Sequence, residues 1–285
     1  MSDITRVGVI GAGLMGSGIA EVCARAGLDV LVREIDDDAL AAGRARIAKS
    51  LDRAVSAGKL DAADRDAADR HLSYTVNLAD LADRDLVIEA ATENPALKFT
   101  LFAELDGIVK RPDAILATNT SSIPVVEVAR ATSRPAQVIG LHFFNPATVQ
   151  KLVEVIPSVL TSPETVARAS AVVTDVLGKT AISAPDRSGF VVNALLVPYI
   201  LSAIRMVEAG HATAEDIDTG MKLGCAHPIG PLALADLIGL DTCKAVADSM
   251  YAEFKEPLYA APPLLLRMTA AGLLGRKSGR GFYDY

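Results

Sequence analysis

Short apolar runs alternate with longer stretches of helical periodicity up to about residue 184, and beyond that the pattern is helical throughout. Arg6–Ile10 reads as a first strand, Ser17–Ala26 as a helix stopped by Gly27, and Asp29–Arg33 as a second strand ending at Glu34. An amphipathic helix from about Asp38 to Ser56 closes at Gly58, and an acidic helix, Leu60–Arg70, turns back as a helical hairpin. Asp36, Asp37 and Asp38 mark the start of that hairpin, where negative charge is favoured. Further strands are expected at Leu72–Thr75, Asp85–Ala91, Ala114–Asn119, Gln137–Leu141 running on into His142, Leu152–Ile156 and Thr180–Ala184. A helix containing Lys98 separates two of them. Another, capped by Ser162-Pro163-Glu164, runs to about Leu177 before Gly178.

Strands alternating with helices predict an α/β fold, a Rossmann-type doubly wound and mostly parallel sheet. Pro185–Gly189 is the expected boundary, dividing residues 1–186 from an all-helical domain at 187–285. That domain opens with an apolar helix, Phe190–Glu208, with a kink expected at Pro198. Thr213 and Asp216 form a capping-box pattern before the next helix. Helices follow at Leu232–Ile238, Asp241–Phe254 and Pro263–Ala271.

Composition narrows the function. The net charge is -7 and no long run of like charge occurs, which argues against nucleic acid or an anionic membrane as the main partner. The apolar run Phe190–Ile204 is broken by Asn193, Pro198 and Ser202 and is too short and polar to span a membrane. Cys23, Cys225 and Cys243 lie far apart, with neither a metal spacing nor an even disulfide set, so no metal and a reducing cytoplasm are expected. Met1–Arg6 leads straight into a strand, which leaves no room for a signal peptide. So apolar a helical domain predicts a homodimer through it.

Two patterns carry chemistry. Gly11-Ala12-Gly13-Leu14-Met15-Gly16 sits in the first turn of a βαβ unit. There Gly11 permits the turn, Gly13 admits a pyrophosphate and Gly16 lets helix and strand pack closely. Glu34, ending the second strand, suits a free ribose hydroxyl and favours NAD over NADP, although Arg33 beside it pulls the other way. The second pattern is the apolar run ending at His142, the loop with Asn145-Pro146, and the apolar run Leu152–Ile156. The loop is too short for a parallel crossover, so the second strand must return antiparallel and bring Glu154 towards His142. A carboxylate between Val153 and Val155 needs a partner, and a histidine held by one is a general base suited to neutral pH. Taken alone, His142 reads as a structural residue closing a strand; Glu154 and the cofactor edge turn the reading towards catalysis. Glu93, Asn119–Ser122 and His142–Pro146 also follow strand ends, the edge where open α/β sheets bind ligands. Arg46, Lys49, Ser50 and Arg53 share a helix face that reads either as solvated surface or as a landing strip for a phosphate-bearing tail.

With these residues in view the chain resembles the 3-hydroxyacyl-CoA dehydrogenases, especially their bacterial 3-hydroxybutyryl-CoA branch. The likeness rests on Gly-Ala-Gly-Leu-Met-Gly at 11–16, Ile-Glu-Ala at 88–90, Asn-Thr-Ser-Ser at 119–122, Leu-His-Phe-Phe-Asn-Pro at 141–146, Leu-Val-Glu-Val at 152–155, Ser-Gly-Phe-Val-Val-Asn at 188–193 and Gly-Arg-Gly-Phe-Tyr at 279–283. The resemblance implies catalysis by His142 and Glu154, with Ser121 and Asn193 in the active site. It implies NAD contacts at the glycine loop, Glu34, Ala90, Glu93, Lys98, Asn119, Ser121, Asn145 and Lys277. It implies acyl-CoA contacts at Ser50, Ser121 and Asn193, with Lys59 a weaker candidate because Ala57 stands at the aligned position. From position alone, Lys98 and Lys277 read as surface lysines, Ser122 as a loop residue bonded to backbone, and Phe143 and Phe144 as packing. Asn193 is also open to a purely structural role in the interdomain loop. The reaction implied is NAD-dependent interconversion of a short-chain (S)-3-hydroxyacyl-CoA and its 3-oxoacyl-CoA. The alternatives are a dehydrogenase of free hydroxy or sugar acids, like the L-gulonate dehydrogenases, and a non-catalytic NAD-binding protein.

Overall fold

A computed structural model describes residues 3–285 and divides them into two compact units, meeting between Asp186 and Arg187. In the first, strands β1 (Arg6–Ile10), β2 (Asp29–Arg33), β3 (Leu72–Thr75), β4 (Leu86–Glu89), β5 (Ile115–Thr118), β6 (Val138–Phe143), β7 (Leu152–Ile156) and β8 (Thr180–Ser183) form one sheet. Its order is β3-β2-β1-β4-β5-β6-β7-β8. Every pairing is parallel except β6 with β7. Strands β3 to β6 thus give the doubly wound dinucleotide-binding order, extended by two strands. The central strands are buried on both faces and read as unbroken apolar runs, as a parallel sheet covered by helices requires.

The helices of this unit are α1 (Leu14–Arg25), α2 (Asp37–Ser56), α3 (Ala62–Arg70), α4 (Pro95–Ile108), α5 (Val125–Arg130) and α6 (Pro163–Ala171). Asp36 caps α2 by accepting from Ala39 N, and α2 and α3 form the expected hairpin, with α3 starting two residues later than Leu60. The helix expected to run to Leu177 changes form after Ala171. Val172–Val176 make a wider π-type turn, in which Leu177 N donates to Val172 O, five residues back. The short helix α5 has no capping side chain of its own; Asp186 supplies one, accepting from Val125 N at 2.6 Å and Val126 N at 2.8 Å.

The second unit is helical: α7 (Val192–Glu208), α8 (Ala214–Gly224), α9 (Pro231–Ile238), α10 (Leu240–Phe254) and α11 (Pro263–Ala270). Thr213 caps α8, accepting from Asp216 N. The final segment wraps around two buried acids. Asp236 accepts from Phe282 N and Tyr283 N, and Tyr283 Oη donates to Asp218. Gly281 is required there, because a Cβ would lie 2.0 Å from Asp236 Oδ1. Among the described residues no helix is long and apolar enough to cross a membrane, and no group of three His, Cys, Asp or Glu side chains is placed to hold a metal ion.

Candidate active site

The glycine loop between β1 and α1 is shaped by contacts that exclude side chains. Gly11 has φ +88°, and a Cβ there would lie 2.8 Å from Ala90 O; a Cβ on Gly16 would lie 1.8 Å from Gly11 O. Gly13 differs, because a Cβ there would meet nothing within 4 Å. Gly13 is also the N-cap of α1 and no side chain caps that helix. Open space before an uncapped helix N-terminus fits a pyrophosphate, which the exposed N–H groups and helix dipole favour. Glu34 reaches the loop from β2: its carboxylate accepts from Ala12 N and from Ile35 N.

On the same carboxyl edge of the sheet, His142 of β6 faces Glu154 of β7 in register. His142 Nδ1 lies 2.7 Å from Glu154 Oε2, with the imidazole side chain 6 % and the acid 0 % exposed. A carboxylate only accepts, so in the neutral ring Nδ1 is the donor to Glu154 and Nε2 is the acceptor nitrogen. Ser121 Oγ sits 3.0 Å from Nε2. The Phe144 ring packs edge-on to the imidazole with centroids 4.7 Å apart. Asn119 Oδ1, at the end of β5, accepts from Phe143 N and fixes the strand end that carries His142. Asn145 is exposed in the loop beyond, at a cis Asn145–Pro146 bond.

Glu93 organises the loop that presents Ser121. One of its oxygens accepts from Thr120 Oγ1, Ser121 N, Ser122 N and Ser122 Oγ. Lys98, read from the sequence as a surface lysine, is instead 1 % exposed. Its Nζ lies 2.6 Å from Glu89 Oε1 and 3.4 Å from Glu93 Oε2, so it joins β4 to the Ser121 loop. Glu89 also accepts from Ala91 N and Thr118 Oγ1, which secures the segment around Ala90 under the glycine loop.

Sequence reasoning passed over Lys179 and did not foresee where Arg46 reaches. Lys179 donates to Ala147 O at 2.7 Å and Gln150 O at 2.6 Å, closing the loop that joins His142 to Glu154. Partial burial lowers its pKa. Arg46, grouped with Lys49 and Arg53 on one helix face, turns to the glycine loop and donates to Ala12 O. The helix comes that close through Gly43, where a Cβ would meet Ala12 Cβ at 2.3 Å. The signal for Arg46 was this glycine one turn earlier; for Lys179 only its place after Gly178 marked it.

Other expected residues lie elsewhere. Ser50 of α2 neighbours Glu21 of α1, a buried carboxyl whose pKa is raised because desolvation outweighs the opposing influence of Ser50, Arg25 and Arg53. Lys59 lines a cavity of about 590 Å³ with Arg25, Asp61, Asp64 and His71. Gly27 and His71 in its wall lead into the amino ends of β2 and β3, so Lys59 sits at the edge of the sheet opposite His142. In the helical unit, Lys277 Nζ pairs with Asp241 at 2.6 Å, and Asn193 occupies the first turn of α7, half-buried.

A glycine-rich βαβ turn with space for a pyrophosphate and, on the same edge of the sheet, a histidine bonded to a buried acid are features of dinucleotide-dependent oxidoreductases. Comparison with known proteins gives the particular lineage. The family models for the 3-hydroxyacyl-CoA dehydrogenase NAD-binding domain and C-terminal domain match residues 6–187 and 189–285. The chain belongs to the 3-hydroxyacyl-CoA dehydrogenase family. It is 60% identical to a 3-hydroxybutyryl-CoA dehydrogenase of Mycobacterium tuberculosis over 100% of both chains. Among solved structures it superposes on M. tuberculosis FadB2 with TM-score 0.98 at 60% identity, covering 99% of each chain. It matches (S)-3-hydroxybutyryl-CoA dehydrogenase PaaH1 from Ralstonia eutropha with TM-score 0.93 at 48% identity, again covering 99% of each.

Proposed function

We propose that this protein interconverts short-chain (S)-3-hydroxyacyl-CoA, such as 3-hydroxybutyryl-CoA, and the 3-oxoacyl-CoA, with His142 as general base and acid. The observation that carries the reading is an imidazole with Nδ1 on Glu154 and Nε2 on Ser121. Bound NAD supplies the acceptor for the hydride leaving carbon 3. His142 Nε2 takes the proton of the 3-hydroxyl, and Glu154 stabilises the imidazolium that forms. Ser121 holds the 3-oxygen next to Nε2, and Glu93 and Lys98 keep the Ser121 loop in place. Asn119 and Lys179 fix the two ends of the segment bearing His142 and Asn145. Family likeness extends this scheme to Asn193 at the substrate, to Asn145 and Lys277 at the cofactor, and to Ser50 and Lys59 for the CoA tail. Arg46 is better placed for the cofactor than for CoA. We further propose a homodimer, supported by exposed Leu195, Met206, Leu223 and Leu237 on the helical unit, and a reducing cytoplasm as the setting.

The test follows NADH absorbance with acetoacetyl-CoA and then with free acetoacetate. Oxidation that requires the CoA thioester is the expected result. Turnover of free acids alone would move the enzyme to hydroxy-acid substrates, and tight NADH binding without turnover on either would remove the catalytic reading.

A further inference from the structure

The loop that presents Ser121 runs from the end of β5 to the start of α5 and is anchored at both ends. At its start Asn119 N donates to Glu89 O at 2.8 Å. In its middle Ser121 N and Ser122 N donate to Glu93 at 2.9 and 3.2 Å. Its far end depends on α5, a helix of six residues preceded by Pro124. Proline offers no capping side chain, so the first helical amides, Val125 N and Val126 N, need an acceptor from elsewhere. Asp186 gives each of them one carboxylate oxygen, at 2.6 and 2.8 Å. The same turn of α5 lies against the strand that carries His142. A Cβ on Gly140, two residues before the imidazole, would sit 3.0 Å from Val125 Cγ2. Val125, Val128 and Ala129 are fully buried, which keeps the body of the helix in the fold. Loss of the cap would therefore loosen the front of α5, where the serine loop joins it, and leave the rest packed.

We infer that Asp186 is a positioning residue for the reaction, setting through α5 the place of Ser121 Oγ beside His142 Nε2. This rests on the roles proposed above for His142 and Ser121. Asp186 is the last residue of the first unit. The chain just beyond it is tied down within the helical unit. Ser188 N donates to Glu253 at 2.8 Å, and the Arg187 guanidinium lies over the Phe254 ring, 4.6 Å from its centroid. The serine loop thus takes its far anchor from the residue at which the chain leaves the first unit. Its geometry is set from the linker as well as from the sheet, and a displacement of about 1 Å at a reacting group is enough to be felt in the rate.

The experiment uses the full-length protein with Asp186→Ala and Asp186→Asn, each alone and combined with Ser121→Ala. Hydrogen exchange of the amides at residues 121–123 is read first, because it needs neither substrate nor cofactor. Asp186→Ala should speed it about 5-fold, the scale of one lost helix cap, and Asp186→Asn, which keeps one acceptor, should speed it less. Oxidation of NADH by acetoacetyl-CoA is read second. Asp186→Ala should lower kcat about 3-fold, within the loss expected of Ser121→Ala itself, and Asp186→Asn should lower it less. Neither should slow the enzyme further once Ser121 is replaced, because the two residues act through one contact. Asp186→Asn serves alone if the alanine variant does not fold. Unchanged exchange overturns the proposal. So does an equal loss of kcat in both backgrounds, which would mark a cap that only stabilises the fold. Faster exchange in a protein that does not turn over acetoacetyl-CoA would instead overturn the proposed reaction and leave the hold of Asp186 on the loop standing.

Discussion

Glu89 and Glu154 occupy the same kind of place, and under the proposed mechanism they do opposite things. Both are carboxylates in apolar strands, both 0 % exposed. Glu89 meets Lys98 Nζ, Ala91 N and Thr118 Oγ1 within 2.8 Å. Its principal partner is a lysine held between two acids, so the cluster is an anchor that fixes the end of β4 beneath the glycine loop. Glu154 faces an imidazole, which is charged only after taking a proton, and whose far nitrogen points to the Ser121 hydroxyl. A buried acid thus becomes a structural clamp or a proton-handling device according to whether its partner can change charge and keeps a second face available.

The sharpest break of this comparison is His142→Gln. It should lower kcat by about 10³-fold, within the range for a lost general base, while NADH titration stays unchanged. A near-native rate would remove His142 from the chemistry. Next come the two acids as a matched pair. Glu154→Gln should cost kcat about 10²-fold, since the imidazolium loses its countercharge, with a small shift in melting. Glu89→Gln should do the reverse. It strands the Lys98 charge with only Glu93 at 3.4 Å, costing about 3–5 kcal/mol of stability, while kcat of the folded enzyme stays within a few-fold. Equal splits between rate and stability for the two variants would sink the distinction. Ser121→Ala removes one neutral hydrogen bond at Nε2 and should lower kcat by roughly 2- to 10-fold.

A third buried acid gives the smallest effect. Glu21 Oε2 has no hydrogen-bond partner, and burial raises its pKa above the ordinary 4.5. The folded state therefore binds this proton more tightly than the unfolded chain. The resulting stability is complete below pH 4.5 and is lost as pH rises through the folded value. Glu21→Gln should raise the melting temperature at pH 8, by about 2–4 °C for each kcal/mol relieved, and the gain should vanish near pH 4. A gain independent of pH would show that charge is not the cause.

The facing of His142 and Glu154 was legible because an eight-residue connection, Phe144 to Lys151, admits only an antiparallel return. The dinucleotide loop was legible because its glycines fall in the right order between strand and helix. What escaped depends on contacts between distant parts of the sequence. Helix α5 owes its cap to Asp186, some 60 positions later, and no local pattern announces it. Lys98 looked like a surface residue because its partner Glu89 lies on a different element. Yet Glu89 carried the same signal as Glu154, a carboxylate inside an apolar run, and the rule that found one would have found the other. Helical periodicity assigned Arg46 a face from its Cα but could not show that its tip reaches Ala12 O of the glycine loop.

The hairpin of β6 and β7 also decides how this enzyme can fail. Acid and imidazole stand opposite each other on neighbouring strands, so a slip of either strand by one position would send its side chain through to the far side of the sheet. No intermediate alignment leaves a weakened relay. Lesions in this hairpin should therefore sort into silent and null, whereas lesions around the glycine loop should grade smoothly into altered cofactor affinity.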